Sequence, residues 1–198
     1  MVVGLDEAGR GPLAGVVVAC ALCLKKVPPF PTRDSKSLSA ARREEIFSWL
    51  RTGAIFGVGL ADNREIDKFN ILEATFLAFN RAIKRLLEKS PKLKKADFII
   101  DGNCFRSELK LNYTCKPRAD SLVKEVSCAS IVAKVVRDYL MSSLDFLYPQ
   151  WNFSQHKGYP TSEHFSLIKK YALTPFHRRS FAPCKRNSPS AKMIKARL

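Results

Sequence analysis

Apolar positions along the chain follow two rhythms. Short runs rich in valine, isoleucine and alanine predict strands at Val2–Asp6, Leu13–Leu24, Ala54–Ala61 and Asp97–Asp101, with a further one in NYTCKP, residues 112–117. Helical spacing takes over elsewhere. Ser39 is placed to cap a helix running to about Arg51. Asn70 stands three residues before Glu73, a capping-box-like start, and Leu72, Phe76, Phe79, Ile83 and Leu86 then recur on one face. A long helix from Ser121 carries Val126, Ala129, Ala133, Val136, Leu140 and Leu144 on one side, and a last helix follows Thr161. Strands come first and then alternate with helices, which predicts a helix-covered sheet in one α/β domain. The chain has 198 residues, 46% of them hydrophobic, enough for one sizeable core and not for two ordinary domains.

Composition adds constraints. Lys and Arg number 34 against 18 Asp and Glu, a net charge of +16, and such a surface attracts polyanions, nucleic acid above all. After Glu163 there is no further acid, and residues 185–198 read as a basic, mobile tail. The longest apolar run, Leu13–Leu24, falls short of the roughly 20 residues a membrane span needs. Asp6, Glu7 and Arg10 interrupt any early signal-peptide pattern, so a cytoplasmic protein is expected. Cys20 and Cys23 form a C-x-x-C, but the next cysteine is Cys104. That spacing suits core residues better than a zinc site.

Two acids stand at predicted strand ends, Asp6 and Asp101, and in α/β sheets sites gather beyond the carboxyl ends of strands. Carboxylates brought together repel unless a cation intervenes, and oxygen-only donors suit Mg²⁺ or Mn²⁺. Glu7 points to the opposite face from Asp6 and joins only where the strand ends or bends, which Gly9 and Gly11 permit. Asp120, just before the long helix, is either a fourth carboxylate or that helix's N-cap. Asp6 and Glu7 could equally be a polar strand end.

Seven segments in order, GLDEAGRGPLAG, DSKSLS, EIDKFNILEAT, IIDGN, ASIVAKVVRD, HKGYPTSEH and HRRSF, resemble the ribonuclease HII family, the type 2 ribonucleases H. Type 3 relatives carry an extra N-terminal domain, and a chain beginning at its first strand fits type 2 better. The resemblance implies a ribonuclease H-like mixed central sheet flanked by helices, with a C-terminal helical extension, over residues 1–184. It implies two divalent ions, Mg²⁺ or Mn²⁺, on Asp6, Glu7, Asp101 and Asp120. Ala119 stands where the family usually has glycine, and Asp138 is the rival for the fourth place, although its mid-helix position suits a structural ion pair. By the same resemblance, Gly9, Arg10 and Gly11 bring main chain to the 2′-hydroxyl that separates RNA from DNA, and Tyr159 packs on the sugar. Ser35, Lys36 and Lys157 are candidate phosphate contacts, and His177, Arg178 and Arg179 carry no assigned chemistry. The implied activity is hydrolysis of the RNA strand of RNA–DNA hybrids and incision 5′ to ribonucleotides in duplex DNA. Ends are 3′-hydroxyl and 5′-phosphate, and the protein is expected to be a monomer. The alternatives are a noncatalytic basic nucleic-acid binder and a two-metal nuclease that cuts DNA.

Overall fold

A computed structural model of the chain describes residues 1–31 and 38–185. Ser35 and Lys36, and the tail beyond Lys185, lie outside the described residues. Five strands form one mixed sheet: β1 (Val2–Ala8), β2 (Val17–Leu24), β3 (Ala54–Ala61), β4 (Asp97–Asp101) and β5 (Asn112–Lys116), in the order β3-β2-β1-β4-β5. The first three pair antiparallel, whereas β1, β4 and β5 run parallel. The helices are α1 (Ala40–Gly53), α2 (Asn63–Phe69), α3 (Ile71–Lys89), α4 (Lys124–Leu147), α5 (Phe153–His156), α6 (Ser162–Tyr171) and α7 (Ala182–Lys185). None of the described helices is long and apolar enough to cross a membrane.

The period-two alternation of β2 builds two cores. Val17, Ala19, Ala21 and Cys23 face a cluster with Phe79, Ile83 and Leu86 of α3, while Val18, Cys20 and Leu22 face a second with Ile131 and Val132 of α4. Each fully buried side chain of this size contributes roughly 1.5–3 kcal/mol of transfer free energy. Cys20 and Cys23 are three apart in a strand and so lie on opposite faces, both as free thiols, which makes them core residues.

On β1, Val3 and Leu5 enter the α3 core, and Gly4 and Asp6 face α4. A β-carbon on Gly4 would lie 2.2 Å from the main chain of Glu125 and Val126. The first turn of α4 therefore rests directly on β1.

Several elements differ from the expectation, beginning with β1, which runs to Ala8 and not only to Asp6. The second strand begins at Val17, not Leu13, because residues 13–15 bond instead to the C-terminal part: Leu13 N–H donates to Gly158 O (2.7 Å), Gly15 N–H to Phe176 O (2.9 Å) and Arg178 N–H to Leu13 O (2.8 Å). The long helix begins at Lys124, since Ala119–Ser121 forms a separate 3-10 turn. Its N-cap is Val123, so Asp120 does not cap it. Helix α2 had no predicted counterpart; the reciprocal capping box belongs to it, through Asp62 and Glu65, while Asn70 accepts from the backbone of Leu72 and Glu73. The C-terminal helices pack through a third cluster that includes Leu13, Met141, Trp151, Phe153 and Ile168.

Candidate active site

Strand register brings the acids together. Leu5 of β1 pairs in parallel with Ile100 of β4, so the next residues, Asp6 and Asp101, leave two neighbouring strands side by side. The 3-10 turn after β5 delivers Asp120. One carboxylate oxygen from each of Asp6, Asp101 and Asp120 lies within 4.8 Å of the others. Two unit charges at 4.8 Å repel by roughly 3–4 kcal/mol at an effective dielectric constant of 20.

Asp6 is the most deeply buried of the three. It is 4% exposed, and its pKa is held well above the usual carboxylate range, first by burial, then by the charges of Glu7 and Asp101. The Ser130 hydroxyl and the Glu7 N–H, which donates to Asp6 Oδ1 at 2.7 Å, oppose the shift. Three crowded carboxylates, hard oxygen donors throughout, fit a divalent ion of the Mg²⁺ or Mn²⁺ type.

Glu7 stands beside this cluster, 3.5 Å from Arg10 Nη1 through Oε1. It lines, with Asp6 and Asp101, a cleft of about 400 Å³. The strand runs through Glu7 to Ala8 without ending at Asp6, and Glu7 reaches the cleft because β4 pairs with β1 only as far as Leu5.

Gly9, Arg10 and Gly11 form one wall of the cleft and Tyr159 lies opposite. Gly9 has φ +98°, and a β-carbon there would meet Arg137 Nε at 2.1 Å, so glycine is required by the protein's own interior. At Gly11 a β-carbon would meet only Tyr159 Cε1, at 3.9 Å, an ordinary van der Waals contact, so the glycine wall comes close to the edge of that ring. Tyr159 is half-exposed, with Lys134 and Arg137 over its ring.

Lys157 is not brought to the cleft. Its Nζ donates to Ser142 Oγ (2.9 Å) in a neighbouring depression that includes Arg43 and Asp138. Asp138 is paired with Lys134 (2.7 Å), an ion pair on the helix surface away from the acidic cluster. Sequence reasoning missed Ser130, Lys134 and Arg43, which all line the cleft. The four-residue spacing of Ser130 and Lys134, two polar breaks in an apolar helical stripe, was the available signal.

Comparisons with known proteins agree with this architecture. The sequence pattern of the family described as ribonuclease HII matches residues 3–184. The chain is 45% identical over 183 residues to the ribonuclease HII of Thermotoga maritima, spanning 92% of this chain and 74% of that protein. It is 42% identical over 180 residues to the ribonuclease HII of Clostridioides difficile, spanning 90% and 68%. The solved structure of Bst-RNase HIII in complex with Mn²⁺ shares the fold, with a TM-score of 0.79 at 20% identity over 97% of this chain and 70% of that one. The chain belongs to the ribonuclease HII family, metal-dependent endoribonucleases that act on RNA–DNA hybrids.

Proposed function

We propose that this protein incises duplex DNA on the 5′ side of embedded ribonucleotides as well as cutting the RNA strand of hybrids, leaving 3′-hydroxyl and 5′-phosphate ends, and that it works as a monomer with two divalent ions. The observation that carries this reading is the convergence of Asp6, Asp101 and Asp120 within 4.8 Å, with Asp6 and Asp101 also lining a cleft walled by glycine-rich main chain. A pure nucleic-acid binder gains nothing from like charges packed beside its phosphate track.

Asp6, Asp101 and Asp120 hold the ions, with Glu7 completing the set from the adjacent strand position. When bound, the ions supply the Lewis acidity that activates water and stabilises the departing 3′ oxygen. Ser130 fixes the Asp6 carboxylate through its hydroxyl. Gly9, Arg10 and Gly11 offer main-chain groups to the sugar, where the 2′-hydroxyl is the feature that distinguishes ribose. The Tyr159 ring closes the far side of the sugar pocket. The excess of Lys and Arg, net +16, holds the phosphates. The bound Mn²⁺ of the Bst-RNase HIII structure supports a divalent ion in this fold.

The test is incubation of three labelled duplexes with the protein, in Mg²⁺, in Mn²⁺ and in chelator: one with a single ribonucleotide, one RNA–DNA hybrid and one all-DNA. Cleavage of the first two, only with metal, and survival of the third is the expected result. Binding without cutting would instead identify a noncatalytic binder, and cutting of the all-DNA duplex would point to a nuclease indifferent to the sugar. Light scattering of the protein alone and on duplex tests the monomer.

A further inference from the structure

His177 and Arg178 are adjacent and fully buried; Arg178 bonds one wall of the cleft directly, and His177 connects to the other through His164. Arg178 donates to four main-chain carbonyls of the first wall and its continuation: Gly9 O (2.6 Å) and Val16 O (3.2 Å) from Nη2, Arg10 O (2.9 Å) from Nη1 and Gly15 O (3.0 Å) from Nε. Arg137, also buried, adds bonds to Val16 O (3.1 Å) and Ala14 O (3.3 Å). No peptide bond among the described residues is cis. In a trans peptide the carbonyl and the following N–H point in opposite directions. By drawing the Gly9 and Arg10 carbonyls inward, Arg178 turns the N–H groups of Arg10 and Gly11 away from itself, toward the cleft these residues line.

His177 acts on the other wall, and its proton can be placed. The backbone N–H of Thr174 donates to His177 Nδ1 (3.0 Å), so the ring proton sits on Nε2. That proton is given to His164 Nε2 (3.0 Å), which leaves the His164 proton on Nδ1, where it is donated to Tyr159 O (2.9 Å). Both rings are therefore neutral and directional. The His156 ring stacks on His164 at 4.2 Å and blocks any swing of the relay. The chain from Thr174 to the main chain of Tyr159 has one consistent polarity.

We propose that the His177–Arg178 pair is the positioning element of sugar recognition: Arg178 aims the amides of residues 10 and 11, and His177, through His164, fixes the main chain of Tyr159. Two consecutive residues thus set how closely the Gly11 main chain and Tyr159 approach each other, and with it the gap that a bound sugar would have to open. Such a gap discriminates by fractions of an ångström only if both walls are held by locked side chains. The inference rests on the reading above that this gap receives a ribonucleotide.

The experiment measures the affinity of the full chain for two duplexes, identical except for one ribonucleotide, with Ca²⁺ in place of Mg²⁺. Arg178→Lys keeps the charge and loses the fork, so preference for the ribonucleotide duplex should fall at least tenfold. Affinity for the all-DNA duplex and calorimetric Mn²⁺ binding should stay within twofold of wild type. A wild type without preference sinks the reading of the site; a wild type with preference that Arg178→Lys retains overturns the positioning role. Where that variant fails to fold, ¹⁵N spectra of the wild type decide. Neutral Nε2–H on His177, neutral Nδ1–H on His164, and shifts of the Arg10 and Gly11 amides on adding the ribonucleotide duplex are expected. Opposite tautomers, or unmoved amides while other cleft residues respond, would overturn it.

Discussion

Asp101 accepts a hydrogen bond from the backbone N–H of Ala119 at 2.8 Å, and Ala119 directly precedes Asp120. One carboxylate of the cluster thereby places another. The left-handed turn that makes this possible is taken by Arg118 (φ 57°), so Ala119, where relatives usually carry glycine, needs no special backbone conformation. Asp101→Asn keeps an oxygen to accept from Ala119 and loses the charge. Its cleavage rate should drop at least 100-fold with a melting temperature within a few degrees of wild type. Asp101→Ala loses the anchor as well and should cost about a further 1 kcal/mol of stability. Asp138→Asn, outside the cluster, should cut within a few-fold of wild type. Gel-based cleavage and thermal melts on the three variants check the assignment.

Asp6→Asn should inactivate the protein and stabilise it. A carboxyl whose folded pKa is raised is favourable to folding below its unfolded value near 3.9, and that advantage is lost as pH rises through the folded value. Above the unfolded value Asp6 therefore works against the fold. In chelator the variant should melt several degrees higher, at about 2–4 °C per kcal/mol recovered for a chain of this size. Added Mn²⁺ should raise the wild-type melting temperature and narrow the difference, since a ligand of the native state stabilises it by mass action. Equal melting temperatures in chelator would contradict the strain at Asp6.

Gly9→Ala and Gly11→Ala should fail in different ways. At residue 9 the added methyl is strained by φ +98° and strikes Arg137, so a loss of roughly 1–3 kcal/mol or more is expected, with activity falling alongside. At residue 11 the methyl meets no main chain and only the Tyr159 ring edge at 3.9 Å. That variant should fold like wild type and still lose ribonucleotide cleavage at least tenfold. Paired melts and cleavage assays separate the two; an active Gly11→Ala would show that nothing passes between residue 11 and Tyr159.

The buried histidines predict an acid-sensitive window. Burial, reinforced at His177 by the neighbouring His164, lowers His177 to about 3 and His164 to about 4, against roughly 6.5 in the unfolded chain. Above pH ~6.5 their contribution to stability is complete; it is lost as pH falls toward the folded values, because the unfolded chain takes up protons that the folded one refuses. Melting temperature should thus decline between about pH 6.5 and 4. His164→Asn should start lower at pH 7 and decline less steeply. The difference between the two curves removes the carboxylates common to both, and parallel curves would place the acid sensitivity elsewhere.

Much of the scaffold was legible in the residue pattern. Strands Ala54–Ala61 and Asp97–Asp101 have the expected bounds, and Ser39 caps α1, because period-two runs and capping side chains are local signals. Helix α2 escaped since its seven residues bury only Asn63 and Ile66, too few to show a period. The start of β2 was misread because Leu13 and Ala14 are apolar for a different reason: they pack under the C-terminal helices. In the site, two acids ending strands pointed to the cleft, and register explains why they meet. Arg178 could not be given a task from sequence, because its partners are main-chain carbonyls more than 160 residues away and such carbonyls leave no complementary side chain to read.

The clamp on residues 9 and 10 also has a consequence in time. The acids of β1 and the glycine wall leave the ribosome early, but the guanidinium that aims that wall lies 168 residues behind Arg10. At synthesis rates of about 5–20 residues per second, the interval lasts on the order of ten to thirty seconds. Until Asp120 is made the chain lacks part of its acid set, and for the rest of the interval all four acids stand beside an unaimed loop. Competence to select ribose therefore arrives only with the last helices, and until then the polypeptide holds its acids without the device that chooses where they act.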